Sequence, residues 1–537
     1  MNEEIEEYYE ELYRLYIDEN QPLERRYRQL RESLERVVRE RIQGNSLQTT
    51  DLAARINYVA TQYGLDIKEQ NQLHTFRLTS NDILNHRKFP AKEEFLRDLR
   101  AVAFAYRKMF AQDIPLKLFS VLPKQEITSL GKKEKKEYIR RIRVCFDYAD
   151  DTYLYVHPVD IIADEPIRVV YNKPGINHEF EETIKELWRY AQLNLLDVFV
   201  DREGIYTPSF IVLEPDYLID ISSLAECYKD YGSHPANYFL SRLVPIDNAR
   251  PLLLGNIANL FLDEWIHAGE EEPDYIDCMK KAFRQYPIEL AACAELRDPS
   301  KEKEFAKDCR MHFEHIRDVV QHTFLEPGYN LDKKEAVLEP SYICEALGIQ
   351  GRLDYMQRDM SSFIEMKSGK ADEFSIQGKV EPKENNKVQM LLYMAVLEYS
   401  MGQDRRRMHP YLLYTRYPLL YPARASWAQV RRVINLRNRI VAAEYGVQFH
   451  NHPDFTRNLL AQINPEVVNE RKLSGRFWEQ YLKPSISRFR EKLSALEPLE
   501  QAYFYTLYNF ITKELYTSKS GDVDYEGRAG ASALWLS

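Results

Sequence analysis

Apolar residues recur at helical spacing in the first part of the chain. Positions three and four apart lie on one face of a helix, so a stripe at this spacing predicts an amphipathic helix. Two such stripes are Leu12, Tyr13, Leu15 and Tyr16, and Leu34, Val37 and Val38. We therefore predict a helical region over residues 1–115.

Between residues 116 and 215 the pattern changes to short alternating segments with turn residues between most of them. The segments cover residues 142–148, 152–156, 167–171, 195–200 and 205–213. One helix is predicted near residues 179–191. Short alternating runs of this kind are typical of an antiparallel sheet or barrel, so we predict a small β-rich, barrel-like domain.

Residues 216–450 mix the two patterns, which predicts an α/β domain. Helices are expected at about residues 251–267, 301–322, 386–401 and 426–445, and strands at about 342–356, 361–367 and 411–417. Residues 451–537 are predicted to be mostly helical. The predicted domains are thus 1–115, 116–215, 216–450 and 451–537.

Composition places the chain among soluble proteins. It is 44% hydrophobic and 29% charged, with a mean hydropathy of -0.52. No apolar run reaches the roughly 18 residues of a membrane span, and the acidic N-terminus does not read as a signal peptide. We expect a cytoplasmic protein without membrane contact, whose six unclustered cysteines are reduced.

The net charge of -10 argues against a general nucleic-acid coat, but the charge is uneven. Residues 401–450 hold nine arginines and two acids, and residues 132–143 hold seven bases and two acids. Such stretches can bind phosphates even on an acidic chain, and the alternative for each is a solvated face.

A candidate catalytic cluster follows from strand arithmetic. If Asp359 and Met360 form the loop of a hairpin, counting outward places Asp354 opposite Glu365. Lys367 is two positions from Glu365 and points to the same face of its strand. Two carboxylates and a lysine therefore meet, although a register slip of one residue would turn one acid away.

These residue types suit hydrolysis of a phosphodiester. Carboxylate oxygens are the ligands that Mg²⁺ prefers, and the metal can polarise a phosphate oxygen and help to generate hydroxide. A neighbouring lysine can steady the water or the developing charge. The alternative is an ordinary cross-strand surface ion pair.

The surrounding motifs resemble the RecB-type branch of the PD-(D/E)XK, restriction-endonuclease-like superfamily. The matching segments are Gly351-Arg352-Leu353-Asp354, Glu365-Met366-Lys367-Ser368-Gly369 and Gln389-Met390-Leu391-Leu392-Tyr393. The resemblance implies a mixed sheet flanked by helices. It also implies that Asp354, Glu365 and the Met366 carbonyl hold Mg²⁺ or Mn²⁺ and that Lys367 serves catalysis. Gln389 and Tyr393 would order the site or contact DNA.

Within that branch, residues 213–445 resemble the nuclease portion of a replication nuclease–helicase family. Two departures stand out. The family's Gly-x-x-x-His helix here reads Gly255 to Asn259, an amide that is a weaker metal ligand. No cysteine follows Cys344, so we predict no iron–sulfur cluster. The chain also lacks a G-x-x-x-x-G-K-[ST] sequence and hence an ATP site, and we expect a fragment of a longer nuclease–helicase.

The resulting expectation is a metal-dependent DNA nuclease acting on single-stranded ends or flaps in replication, repair or defence. The basic helix near residues 426–445 would hold the DNA backbone through Arg431, Arg432, Arg437 and Arg439. A non-catalytic DNA-binding or docking module is the alternative that Asn259 favours. A nuclease of CRISPR adaptation shares the motifs, but the long N-terminal region and the missing cysteines argue against it.

Overall fold

The structure is a computed structural model in which the chain divides into two compact units. One unit comprises Met1–Asp216, Val441–Phe455 and Tyr508–Ser537, and the other comprises Tyr217–Ile440 and Thr456–Leu507. The structure describes residues 2–42, 51–124, 137–163, 165–243, 250–329, 331–374, 379–423, 426–450 and 452–520. The boundaries between the four predicted domains remain predictions.

The first unit begins with helices, as the apolar stripes predict. They are α1 (Asn2–Ile17), α2 (Leu23–Ile42), α3 (Leu52–Tyr63), α4 (Ile67–Leu84), α5 (Lys92–Phe110) and α6 (Leu116–Phe119). Leu12, Leu34 and Val37 are fully buried in their common core. At the start of α4, Asp66 accepts from the Glu69 amide while the Glu69 carboxylate accepts from the Asp66 amide, which satisfies two free donors of the helix end.

A six-stranded sheet follows in the same unit. Its strands are β1 (Tyr138–Ala149), β2 (Tyr153–Pro158), β3 (Ile167–Val170), β4 (Gln192–Val200), β5 (Tyr206–Thr207) and β6 (Phe210–Leu213), with the short helix α7 (Glu181–Lys185) between β3 and β4. β1 pairs with both β2 and β4, and β5 joins β4 to β3. The predicted β-rich domain is therefore present as a sheet and not as a closed barrel. A single bridge, between Val169 and Tyr206, joins β3 to β5.

The second unit is mixed α/β. Its helices are α8 (Ile221–Ala225), α9 (Ala236–Leu243), α10 (Arg250–His267), α11 (Tyr275–Gln285), α12 (Pro287–Ala292), α13 (Pro299–Gln321), α14 (Glu384–Met401), the first part of α15 (Trp427–His450), the last part of α16 (Pro453–Ala461), α17 (Pro465–Val468), α18 (Lys483–Ser494) and the first part of α19 (Pro498–Ser520). The helical expectation for residues 451–537 agrees with this as far as residue 520, and residues 521–537 lie outside the described part of the chain.

The strands of the second unit form three sheets. They are β7 (Ile219–Asp220), β8 (Ala336–Leu338), β9 (Ser341–Cys344), β10 (Ile349–Arg352), β11 (Tyr355–Gln357), β12 (Ser362–Lys367), β13 (Asp372–Phe374), β14 (Lys379–Glu381), β15 (His409–Tyr414) and β16 (Leu419–Pro422). The largest sheet has the order β16-β15-β12-β11-β8, with β12 and β15 parallel. A smaller sheet has the order β7-β10-β9, and β13 pairs with β14.

The predicted hairpin register is confirmed. Tyr355 pairs with Ile364 and Met356 pairs with Phe363, so one further step places Asp354 opposite Glu365. The turn closes through the Met360 amide, which donates to the Gln357 carbonyl at 2.8 Å.

The single strand predicted over residues 342–356 is wrong, because three strands occupy it. The chain leaves the small sheet after β10 and enters the large sheet at β11, and Leu353 and Asp354 form the crossing. Asp354 therefore lies where two sheets meet rather than within a ladder.

Helices α10 and α13 cover one face of the large sheet. Their apolar residues share a core with Tyr355, Ile364 and Leu413 of that sheet. This packing fixes α10 beside the end of β12, where a Cβ on Gly255 would lie 3.4 Å from Ser368 Oγ. Within the described residues, no helix combines the length and apolar character that crossing a membrane requires.

Candidate active site

Asp354 and Glu365 line one cleft of about 510 Å³ together with Lys367 and Gln389. Asp354 is held by a hydrogen bond from the Met366 amide to its Oδ2 at 2.6 Å. Glu365 is only 3% exposed on β12. The two carboxylates predicted from the hairpin thus meet in a concave site rather than on an open surface.

Lys367 and Gln389 both hold one oxygen of Glu365. Lys367 Nζ donates to Glu365 Oε1 at 2.8 Å and to Gln389 Oε1 at 2.8 Å, and Gln389 Nε2 donates to Glu365 Oε1 at 2.6 Å. Since Gln389 is on α14, this triangle ties the helix to β12. It fixes the ammonium group in one position within the cleft.

Tyr393 lies one turn after Gln389 on α14 and supports the site from outside. Its hydroxyl donates to the Arg352 carbonyl, at the end of β10. Gly351 leaves room for this contact, because a Cβ there would lie 3.1 Å from both the Tyr393 hydroxyl and Ile221 Cδ1. The Gly-x-x-Asp spacing thus has a packing reason in this chain.

The second carboxylate oxygen of Glu365, Oε2, differs from Oε1 in its contacts. Among the described residues, Oε2 is buried and has no hydrogen-bond partner. A buried carboxylate oxygen without a donor is unfavourable, so a cation at this position would offset the loss.

The oxygen ligands in the cleft fit a hard divalent cation. Asn259 of α10 and Met366 line the same cleft as Asp354 and Glu365. Carboxylate, amide and backbone carbonyl oxygens are the ligands that Mg²⁺ and Mn²⁺ take in proteins. The set is sparse, however, since the described residues contain no group of three or more His, Cys, Asp and Glu side chains placed to hold a metal.

The electrostatics of the cleft favour neutral carboxyls in the absence of a cation. Burial, with the nearby Asp354, raises the pKa of Glu365 to about 8, although Lys367 opposes the change. Burial also raises the pKa of Asp354, against the lowering effect of the Met366 amide. Two buried carboxyls that repel each other are a frequent feature of catalytic and metal-binding sites.

The structure adds residues that the sequence analysis did not select. Ser222 lines the cleft and accepts from Gln389 Nε2 at 3.4 Å. Asp263 lies one turn after Asn259 on α10, and burial, with Glu339 nearby, raises its pKa to about 6. Asp263 could have been selected from the sequence, because a spacing of four residues places it on the same helix face as Asn259. Ser222 could not, because it is too distant in sequence from the other site residues for an argument from spacing.

The predicted DNA-binding role of Arg437 is corrected. Arg437 is 0% exposed, and it donates to the Gly348 carbonyl at 3.1 Å and to the Tyr217 carbonyl at 2.6 Å. A guanidinium enclosed in this way holds two loops together and does not reach a DNA backbone. Arg431 is also buried, whereas Arg432 is exposed and Arg439 is half-buried.

Comparison with known proteins adds no family assignment. No protein-family model matches the chain, and no curated protein matches it significantly.

Proposed function

We propose that this chain is a metal-dependent phosphodiesterase of the PD-(D/E)XK type that hydrolyses DNA. The observation that carries the proposal is the buried Glu365 carboxylate, which shares a cleft with Asp354 and, among the described residues, leaves Oε2 without a donor. A surface ion pair would expose its carboxylate to water and would not bury a second acid beside it.

Each residue has a distinct part in the proposed reaction. Asp354, Glu365, the Met366 carbonyl and Asn259 would hold Mg²⁺ or Mn²⁺. The bound metal would polarise the phosphate and lower the pKa of a water molecule. Lys367 Nζ, fixed by Glu365 and Gln389, would orient the attacking water and stabilise negative charge on the phosphate. Tyr393 would position α14 through the Arg352 carbonyl.

The nature of the substrate belongs to the same proposal. We infer single-stranded ends or flaps of DNA as the substrate, and a helicase in the same native chain, from the motif resemblance alone. The exposed Arg432 and the half-buried Arg439 remain candidates for contacts with the DNA backbone.

The test is digestion of end-labelled single-stranded DNA with Mg²⁺ or Mn²⁺. We expect Lys367→Ala and Glu365→Ala to lower the rate by at least about 100-fold. Lys367→Ala removes a positive charge beside the reacting phosphate, and Glu365→Ala removes a proposed ligand of the metal. Lys370→Ala is the matched control, since Lys370 is exposed three residues after Lys367. Equal cleavage by all the variants would remove the assignment of this site.

A non-catalytic DNA-binding or docking module is the second candidate. Asn259 favours it, because an amide stands in the cleft where the resembled family has histidine. Under this alternative the wild-type chain binds single-stranded DNA but does not cleave it with either metal, and Glu365→Ala binds DNA as the wild type does.

A further inference from the structure

A second cleft, in the first unit, is lined by four arginines. It has a volume of about 380 Å³, and its charged lining residues are Arg31, Arg77, Arg141, Arg143, Asp51 and Asp160. The volume is at the lower end of the roughly 300–1,000 Å³ usual for small-molecule sites. The four guanidinium groups outnumber the two carboxylates, so the lining of the cleft carries more positive than negative charge.

Arg77 is the deepest of the four. It projects from α4, is 3% exposed, and donates to the Val159 carbonyl and, at 3.5 Å, towards His74 Nδ1. Among the described residues it forms no ion pair, and both of its hydrogen-bond acceptors are neutral groups. Burial accordingly lowers the pKa of Arg77, with Asp51 opposing the change from a distance.

Arg141 supplies a second positive charge that no ion pair within the described residues neutralises. It lies on β1 two residues before Arg143, so both side chains point to the same face of the strand. Arg141 is exposed, and within the described part of the chain it takes part in no ion pair. It is therefore able to contact a ligand without breaking an existing interaction.

The other two arginines are held rigidly by partners. Arg143 donates to both oxygens of Asp216 at 2.7 and 2.9 Å. Arg31 donates to Ser80 Oγ at 3.0 Å and pairs with Glu35 at 2.5 Å. They form fixed walls. Arg77 and Arg141 form no ion pair within the described residues, and the other charged groups of the lining are Asp51 and Asp160.

We propose that this cleft binds a phosphate group, with Arg77 at its base and Arg141 at its mouth. The planar guanidinium fork matches the oxygens of a phosphate and gives two parallel charge-assisted hydrogen bonds. The site lies in a different unit from the candidate active site, and the proposal does not depend on nuclease activity. The phosphate can belong to a nucleic-acid strand or to a small free anion, and the chemistry of recognition is the same.

Calorimetric titration of the full chain with inorganic phosphate tests the site. We expect Arg141→Ala to weaken binding at least about tenfold, as loss of a charge-assisted hydrogen bond predicts. Arg202→Ala is the matched control, because Arg202 is exposed in the same unit and does not line the cleft. Phosphate should also raise the melting temperature of the wild type and of Arg202→Ala more than that of Arg141→Ala.

Single-stranded oligonucleotides then identify the source of the phosphate. They carry a 5′ phosphate, a 3′ phosphate or neither, and a chelator prevents hydrolysis. If the wild type prefers one phosphorylated end and Arg141→Ala does not, the site binds the terminus of a strand. If Arg141→Ala weakens the binding of all three oligonucleotides equally, the site binds a backbone phosphate. If Arg141→Ala weakens the binding of inorganic phosphate alone, the site binds a free anion. The proposal is overturned if none of these probes binds, or if Arg141→Ala binds all of them as well as Arg202→Ala does.

Discussion

Glu365 is the residue whose ionisation most affects the candidate site. Its pKa in the folded chain is about 8, against 4.5 for an ordinary glutamate. Between these pH values the folded state holds a proton that the unfolded state releases, so stability falls as the pH rises. The stabilising effect of the bound proton is complete below about pH 4.5 and is lost as the pH approaches 8.

Replacement of Glu365 by glutamine should remove this loss. We expect Glu365→Gln and the wild type to have similar stability near pH 4, and the variant to be more stable at pH 8 by on the order of 1 kcal/mol or more. Urea unfolding across this pH range measures the difference. The exposed Glu203→Gln is the control, and a difference that does not grow with pH would contradict the assignment of the titration to Glu365.

At the level of single residues, the sequence predicted the part of the site that is local. Asp354, Glu365 and Lys367 follow from one hairpin, whose register depends only on the turn at Asp359 and Met360. The burial of Arg437 could not be predicted, because an arginine on a basic helix has the same pattern whether its side chain meets solvent or two carbonyls.

Long helices were predicted well, and short elements were not. The helix α14 was expected at about residues 386–401 and spans Glu384–Met401. By contrast, the helix expected at residues 179–191 contracts to α7 at Glu181–Lys185, and residues 186–191 form turns and irregular backbone before β4 begins at Gln192. Short elements depend on contacts that are distant in sequence, and a local pattern does not contain them.

The turn between β9 and β10 depends on Gly348. Its φ is 65°, and a Cβ would lie 2.3 Å from Nη2 of Arg437, whose Nε also donates to the Gly348 carbonyl. We expect Gly348→Ala to destabilise the fold by about 2 kcal/mol or more, from left-handed strain and displacement of Arg437. The measurement is the urea midpoint. Gly369→Ala is the control, since a Cβ there meets no atom within 4 Å; equal stability of the two variants would show that the turn tolerates a side chain.

For the molecule as a whole, the cysteines allow a test of the expected cofactors. All six are buried and free, and none follows Cys344 in the sequence. We predict that protein purified without oxygen has no broad visible absorbance and no bound iron or acid-labile sulfide. Stoichiometric iron and sulfide in such a preparation would contradict the prediction.

The division of the chain into units was beyond sequence reasoning. The second unit is interrupted by residues 441–455, which belong to the first unit, and α15 contributes residues to both. A helical pattern reports which face of α15 is apolar, but it does not report what each half packs against. The mixed α/β class was predictable because both periodicities are present in the same part of the sequence.

The hairpin that carries the candidate site has a kinetic consequence. The Met366 contact with Asp354 closes a segment of 12 residues, the Gln389 contact with Glu365 closes one of 24, and the Gln389 contact with Ser222 closes one of 167. Because the entropy lost on loop closure grows with length, we expect the two carboxylates to meet first, then α14 to join them, and last the helix α8 that carries Ser222. On this basis we expect the two acids to come together before the rest of the cleft forms around them.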